Sequence, residues 1–409
     1  MNIGIQLIDD HYLAYPDNNL KMISDAGFDS IGFDLRAFCL SLDSMDIPDS
    51  NKVACDLYVD IKMIEKKFSS YKSAADRNNL KISQVIAPSA SQVADRKTLG
   101  RIIVNCIALC GRMGSPYLIV HPFPAGSLNS RQEWRENSDF LLSLVPAARE
   151  HQVIICLENQ YRDCNGRYLR SVCSDPDTAA YYVDRLNNEA GEELFGFCLN
   201  TGNCILFGQS LYETIIKLGN RIRTVRIQDN NGIWKQRLMP YACTRNTLGS
   251  STDWPGFVRG IRQIDFQGTL CFVADGSVIS FPSNMRHAVL RFVAEIGRSM
   301  AEQIDIERNL SKCRNIILFG AGNMFENYMS SYGDKYPPLF IVDNNSTLWG
   351  TSKLGISIKP PDAIKELGGN YGVFICNRFY YEIEKQLTDM GVTHIYRFND
   401  EYRPLNSPK

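Results

Sequence analysis

Short apolar runs ending in polar residues recur along the first two-thirds of the chain: NIGIQLI, SIGFDL, ISQVIAP, YLIVHP, VIICLEN, LFGFCLN, IRTVRIQD and TLCFVAD. Each is a β-rich stretch bounded by polar or turn residues, and segments of helical length separate most of them. Alternating β and α over this length predicts a parallel sheet with right-handed crossovers. Eight such units close as a (β/α)8 TIM barrel, in which the polar residues ending the strands face one mouth. The motifs expected there are YLIVHPFP at His121, IICLENQ at Glu158, GFCLNTGNC at Asn200 and VRIQDN at Arg226, with TDW at Asp253. The last run, TLCFVADGS, delivers a final inward position at Val273.

Residues 286–311 carry apolar positions at helical spacing and then turn polar, as a closing helix followed by a connector would. A second α/β unit starts at NIILFGAGNMFENYM, continues through PLFIVDNNSTLWG and GVFICNRF, and finishes at HIYRF. The expected organisation is a barrel over 1–300, a connector over 301–312 and a small Rossmann-like α/β domain over 313–409. No short internal repeat beyond the βα alternation and no low-complexity tract is found.

Composition narrows the classes of function. Hydrophobic residues make up 44% of the 409, ample for buried cores, and 44 Lys and Arg against 45 Asp and Glu leave a net charge of −1. No general basic field exists to attract nucleic acid, so any charge-based recognition must be local. The 13 cysteines form no CxxC pair, and Cys156, Cys198, Cys271 and Cys376 fall inside apolar runs, where a thiol packs as a small hydrophobe. They read as reduced, buried and cytoplasmic. MNIGIQLIDDHY lacks a cationic segment and a long apolar run, and no stretch approaches ~20 apolar residues, so neither secretion nor membrane spanning is expected.

In order and type, the barrel motifs resemble the xylose-isomerase-like TIM-barrel superfamily of sugar and sugar-phosphate isomerases and epimerases. That group also includes dehydratases of related polyols and barrel-type apurinic endonucleases. The resemblance covers the whole barrel and implies one divalent metal held by four ligands: a glutamate ending strand five, an aspartate in a DTGH-like turn, a histidine before a KD- or HD-like pair, and a glutamate in strand eight. In this sequence Glu158 matches the first, Asn200 stands for the aspartate, Arg226 for the histidine and Val273 for the last glutamate. The turn histidine, which often contacts substrate in the family, is Asn203.

Hard divalent cations need several oxygen or imidazole ligands, and a guanidinium is a permanent cation that repels the ion from the same space. A conventional metal is therefore not expected, although an unorthodox site using Glu158, His121 and Asp275 stays open. Epimerisation or isomerisation beside a carbonyl needs groups that remove and return a proton, and family epimerases use the two glutamates. Glu158 is the surviving acid/base candidate. Arg226 is expected to take over part of the metal's electrostatic role, by pairing with Glu158 or polarising a substrate carbonyl or carboxylate. Asp275 lies two residues beyond Val273, where strand periodicity sends it to the same face as a displaced carboxylate; Asp-Gly is also an ordinary turn signal.

Further candidates surround these. His121 matches an HPG-like motif within reach of a sugar hydroxyl, and is otherwise a satisfied loop residue. Asn200 and Asn203 are expected substrate contacts. Asp229 matches the family's acid after the histidine and orients neighbours, binds hydroxyls, or caps the DNNG turn. Arg162, Arg167 and Arg170 follow strand five, and Lys235, Arg237 and Arg245 follow strand seven. These loop cations favour an anionic ligand such as a sugar phosphate, sugar acid or nucleotide-linked sugar, or else are solvated loop charge. Trp234 stacks on a sugar ring or packs, and Asp253-Trp254 anchors its loop or the next helix.

In the C-terminal part, ILFGAGNMF places Gly320 and Gly322 directly after an apolar run, with Asp343 about 20 residues on, the spacing at which an acid meets a ribose. Phe325 replaces the third glycine of the full fingerprint. The wider string resembles Rossmann-like domains of bacterial glycan-modifying enzymes, some of which bind a nucleotide sugar. The alternative is a packing or oligomerisation module, and with it a homo-oligomer.

The leading expectation is a sugar isomerase- or epimerase-like enzyme acting on an anionic or nucleotide-linked sugar at a metal-poor site. A metal-independent dehydratase or lyase, and a non-catalytic sugar-binding or assembly protein of a glycan-biosynthesis pathway, remain as alternatives. A barrel endonuclease, which collects several metals with many His, Asp and Glu ligands, fits poorly with only five histidines.

Overall fold

The computed structural model describes residues 1–7, 16–38, 61–90, 93, 95–123, 130–164, 167–243 and 252–404. The chain divides into two compact units: Met1–Trp254 with Gln263–Arg298, and Pro255–Arg262 with Ser299–Lys409.

All eight apolar runs of the first unit are barrel strands: β1 Ile3–Leu7, β2 Ser30–Asp34, β3 Lys81–Ile86, β4 Tyr117–Val120, β5 Ile154–Glu158, β8 Phe195–Asn200, β9 Ile222–Ile227 and β10 Leu270–Phe272. Between β5 and β8 lies a small antiparallel hairpin, β6 Tyr161–Cys164 and β7 Arg167–Arg170. The barrel strands close parallel in the order β1-β10-β9-β8-β5-β4-β3-β2. Helices return the chain between strands, and their starts carry local signals. Asp95 caps Arg96–Arg112 by accepting from the Thr98 N–H, and Asp175 does the same for Pro176–Ala190, which has proline at its first position.

Inward positions alternate along each strand. Ile86, Ile119, Cys156 and Cys198 form an apolar layer inside the barrel. Another interior contact is polar: Thr224 donates to the Gln84 side-chain oxygen, and Gln84 donates to that of Gln6 at 3.4 Å. Two residues beyond Cys156 and Cys198 the same faces present Glu158 and Asn200. Asn200 is the register partner of Arg226 on β9. The chemistry-bearing residues thus sit directly above a filled apolar floor.

The second unit holds a six-stranded sheet in the order β13-β14-β12-β11-β15-β16. Its parallel strands are β11 Asn315–Phe319, β12 Phe340–Val342, β14 Ile356–Lys359, β15 Tyr371–Ile375 and β16 Ile395–Arg397; β13, Ser352–Lys353, is antiparallel to β14. Ile316 and Leu318 pack into one core and Ile317 and Phe319 into another, so β11 is buried on both faces. The β13–β14 hairpin is missed by the apolar pattern because both strands are short and mostly exposed. Its turn residues Leu354 and Gly355 both take positive φ, 51° and 79°, the requirement of a tight two-residue hairpin. Residues 301–312, read as a connector, are helical: Arg286–Ile304 is followed by Ile306–Lys312. Among the described residues no helix is long and apolar enough to cross a membrane.

Candidate active site

Glu158, the last residue of β5, is 2% exposed and its carboxylate is fully engaged. Oε1 accepts from Arg226 at 2.5 Å and from the Asn200 amide at 2.8 Å; Oε2 meets His121 Nε2 at 2.6 Å and accepts from Gln160 at 3.1 Å. Burial pushes this carboxyl upward, but the Arg226 charge and the His121 and Asn200 contacts outweigh it and hold it well below the usual range. An ionised Glu158 can only accept, so His121 donates from Nε2 and presents Nδ1 as an acceptor. Burial, partly offset by Glu158, lowers the His121 pKa and favours the neutral ring.

The turn after β8 is locked to its neighbours. Asn200 caps Thr201–Leu206, its side-chain oxygen accepting from Gln228 at 2.6 Å. Asn159 clamps the Asn200 backbone, accepting from its N–H at 2.7 Å and donating to its carbonyl at 3.0 Å. Thr201 donates to the Gln228 carbonyl and accepts from its N–H. Gly202 is required here, because a Cβ would lie 2.6 Å from Gln228 Cγ. Asn203 donates to the Asn159 carbonyl at 2.7 Å, while its own side-chain oxygen is buried and finds no partner among the described residues.

Above this network lies a cavity of about 420 Å³ lined by His121, Glu158, Asn200, Asn203 and Lys235 from the sequence candidates. Arg36, Ser89, Gln160 and Tyr161 also line it and are absent from the sequence reading. Arg36 follows β2 and forms a two-point pair with Asp34, from Nε at 2.8 Å and Nη2 at 2.5 Å. Burial raises the Asp34 carboxyl, but Arg36 more than compensates and keeps it ionised. Lys235 enters from the loop after β9. Its Nζ donates to the Tyr161 hydroxyl at 3.2 Å and stands 5.1 Å from that ring's centroid. Burial, with the charges of Arg226 and Arg36, lowers the Lys235 amine to about 8. No carboxylate forms an ion pair with it among the described residues.

The other candidates among the described residues do not line this cavity, and only for Asp275 is the expected strand position corrected. Strand β10 stops at Phe272, and Asp275 opens the helix Asp275–Ile279, so strand periodicity does not carry it to the face of Val273. Its carboxylate pairs with Arg237 at 3.0 Å, which also commits Arg237. Burial raises the Asp275 carboxyl. Asp229 anchors loops rather than lining the cavity: it accepts from the Thr252 hydroxyl at 2.8 Å and from the Asn230 and Cys243 N–H groups. Trp234 is 53% exposed and is not part of the cavity wall. Trp254 is buried at the start of the helix Trp254–Gln263, as a packing residue would be. Arg162 lies on β6 opposite Leu169, but its side chain falls outside the described residues, as does Arg245. Arg167 and Arg170 are exposed on β7.

The donor set does not fit the divalent metal that the resemblance implies. Where such an ion would sit, the Arg226 guanidinium lies against Glu158, the only carboxylate of the four positions, and Val273 offers no donor. Among the described residues no group of three or more His, Cys, Asp or Glu side chains converges to hold a metal.

In the second unit, Gly320 takes φ 110°, and a Cβ there would lie 2.8 Å from the Cys376 carbonyl oxygen. Gly322 has open space around it. Asp343 accepts from the Ala321 N–H at 2.9 Å and the Asn345 N–H at 2.8 Å, while Lys353 donates to the Ala321 carbonyl at 2.7 Å. The Asp343 carboxylate therefore braces the glycine loop.

A family model described as xylose isomerase-like TIM barrel matches residues 20–277, and one described as C2185-like, N-terminal, matches 312–395. No curated protein matches the chain. Among solved structures, a D-tagatose 3-epimerase-like protein is 17% identical, covering 75% of this chain and 99% of its own, with a TM-score of 0.52. L-ribulose 3-epimerase is 15% identical, with 76% and 98% covered and a TM-score of 0.51. D-allulose 3-epimerase from Methylomonas sp. is 16% identical, with 74% and 98% covered and a TM-score of 0.50. At these identities the likeness is one of fold.

Proposed function

The chain belongs to the xylose isomerase-like TIM-barrel family, and from that premise we propose that it is a sugar isomerase- or epimerase-type enzyme acting on an anionic sugar without a divalent metal. The observation that carries this reading is the cavity over Glu158, where Arg36 stands already paired with Asp34 while, among the described residues, Lys235 has no carboxylate ion-pair partner and the Asn203 side-chain oxygen has no partner. A sugar carboxylate or phosphate, and the anionic oxygen that develops during proton transfer, both suit this positive field. The buried oxygen of Asn203 suits a sugar hydroxyl as donor. Arg226 replaces the metal's fixed positive charge, and Glu158 serves as a permanent anion that orients Arg226, His121 and Asn200.

The test is solvent deuterium incorporation into a panel of hexose phosphates, ketose phosphates, uronic acids and nucleotide-linked sugars, followed by NMR. Deuterium at a substrate carbon is the expected result. A new unsaturated product would redirect the reading to a dehydratase or lyase, since both reactions begin with the same proton removal. A second reading, a non-catalytic sugar-binding protein, is favoured by the saturation of Glu158. Tight binding without exchange on any member of the panel would select it.

For the second unit, the reversal of strand order about β11 supports a Rossmann-like reading, with β14-β12-β11 on one side and β15-β16 on the other. A nucleotide or nucleotide sugar would meet the Gly320–Gly322 loop at that switch point. Calorimetry with uridine and guanosine diphosphate sugars tests it, and the absence of heat would favour a packing module.

A further inference from the structure

The family's acid/base pair is two glutamates, and neither position serves here. Val273 cannot transfer a proton, and Glu158 has all four acceptor directions occupied by Arg226, Asn200, His121 and Gln160. A base must reach the substrate proton and titrate near the working pH. Resting on the reading above, we infer that the cavity transfers its proton through the amine of Lys235, held in place by Tyr161.

Four observations converge on this amine. Lys235 lines the cavity, so it can touch a bound sugar. The Tyr161 hydroxyl takes one of its hydrogens at 3.2 Å and the Tyr161 ring supports it from 5.1 Å, which fixes Nζ without neutralising it. Two cations, Arg226 and Arg36, act on it together with burial, the arrangement that makes a lysine available as a base. Finally, Lys235 reaches the cavity from the loop after β9 while Arg36 follows β2, and these strands are separated by β10 and β1 around the ring. The two groups therefore address a sugar from different sides.

The step balances as follows. The neutral amine of Lys235 takes the proton from the carbon beside the carbonyl, and the C–H electron pair becomes the carbon–carbon double bond of an enediolate. The carbonyl oxygen receives the negative charge and faces the part of the Arg36 guanidinium that Asp34, bound at Nε and Nη2, leaves free. The Lys235 ammonium then returns a proton to the neighbouring carbon, and the hydroxyl proton crosses between the two sugar oxygens, which completes isomerisation. Ammonium hydrogens exchange with water, so deuterium enters the sugar.

The experiment compares the full-length protein with Lys235→Met and Lys235→Arg on whichever sugar of the panel shows exchange, reading deuterium incorporation by NMR and binding of the same sugar by calorimetry. Both variants are expected to lose exchange by at least about 100-fold. Lys235→Arg is expected to bind the sugar within a few-fold of the parent: with its amine lowered to about 8, Lys235 is mainly an ammonium at neutral pH, the neutral form that takes the proton is the minority, and arginine keeps the charge that binds. Exchange by Lys235→Arg at the parent rate would reduce Lys235 to an anion-binding group and overturn the inference. Circular dichroism verifies folding, and if Lys235→Met does not fold, Lys235→Arg alone decides. Exchange in the parent but equal exchange in the variants sinks only this assignment, whereas no exchange in the parent sinks the enzymatic reading and this inference with it.

Discussion

The Arg226 guanidinium donates to Glu158 Oε1 at 2.5 Å, with each side chain only 2% exposed. The two residues lie on β9 and β5 with β8 between them, so the bond crosses the barrel interior over Asn200. Burying both charges is tolerable because the pair is not isolated: Asn200, His121 and Gln160 complete the carboxylate's shell. Glu158 is the anion on which Arg226, Asn200, His121 and Gln160 converge.

Removing Arg226 alone should therefore cost more than removing both charges. Arg226→Met strands a buried carboxylate and is expected to destabilise the barrel by about 3–5 kcal/mol. Adding Glu158→Gln should recover at least ~1 kcal/mol, since contacting residues couple by roughly 0.5–3 kcal/mol. Urea denaturation of the two single variants and the double variant checks this. Simple additivity would show that the pair does not interact.

Acid sensitivity between neutral pH and mildly acidic pH should trace to His121. Its folded pKa lies below the ordinary 6.5, so between those values the unfolded chain binds more protons. Stability is then full above the ordinary value and falls as pH drops toward the folded one, by at most about 1.4 kcal/mol per pH unit. Glu158 contributes no slope there, because its depressed pKa places its loss well below 4.5. Denaturation midpoints measured from pH 7.5 to 5.5 should lose the fall on the acid side in His121→Gln, leaving the opposite slope of Glu302, whose carboxyl burial pushes up to about 7. An unchanged slope in that variant would assign the sensitivity elsewhere.

How far the sequence reveals this site depends on distance along the chain. Glu158 and Asn200 are legible because each ends an apolar run, and Arg226 because it is the charged residue one short of the end of the next; two-residue periodicity then fixes the face. Asp275 defeats the same reasoning: β10 ends at Phe272 and the chain coils into a helix before reaching it. Arg36 escapes because SIGFDL reads as complete at Asp34 and its neighbour, and nothing local shows that the residue after the strand turns into the mouth. Lys235 is visible only as a loop cation. What distinguishes it is Tyr161, Arg36 and Arg226, contributed by three other parts of the chain. In the second unit the four apolar strands are legible, whereas β13 and β14 are too short and exposed to register.

The turn after β8 offers a test of how tightly the mouth is held. Gly202 must admit Gln228, whose Cγ and Cδ would lie 2.6 and 2.7 Å from an added Cβ. Gln228 is buried and also holds the Asn200 side chain, so it cannot step aside freely. Gly202→Ala is expected to cost about 1–3 kcal/mol through overpacking. Thermal denaturation provides the measurement, and a neutral effect would mean that Gln228 has another place to go.

The last prediction concerns the metal. Protein purified without chelator should contain far less than one equivalent of manganese, zinc or magnesium by elemental analysis, and added chelator should leave its thermal midpoint unchanged. The reason is local: Arg226 presents a permanent cation to the one remaining carboxylate, and Asn200 donates an amide hydrogen to that same carboxylate. Restoring the donors with Asn200→Asp, Arg226→His and Val273→Glu together should convert the mouth into a metal site. Added manganese should then raise the thermal midpoint of that triple variant, by the equivalent of about 2.7 kcal/mol at 100 times its dissociation constant. The parent should not respond. A near-stoichiometric metal in the parent would require Arg226 to leave Glu158, and would return Glu158 to the role of ligand.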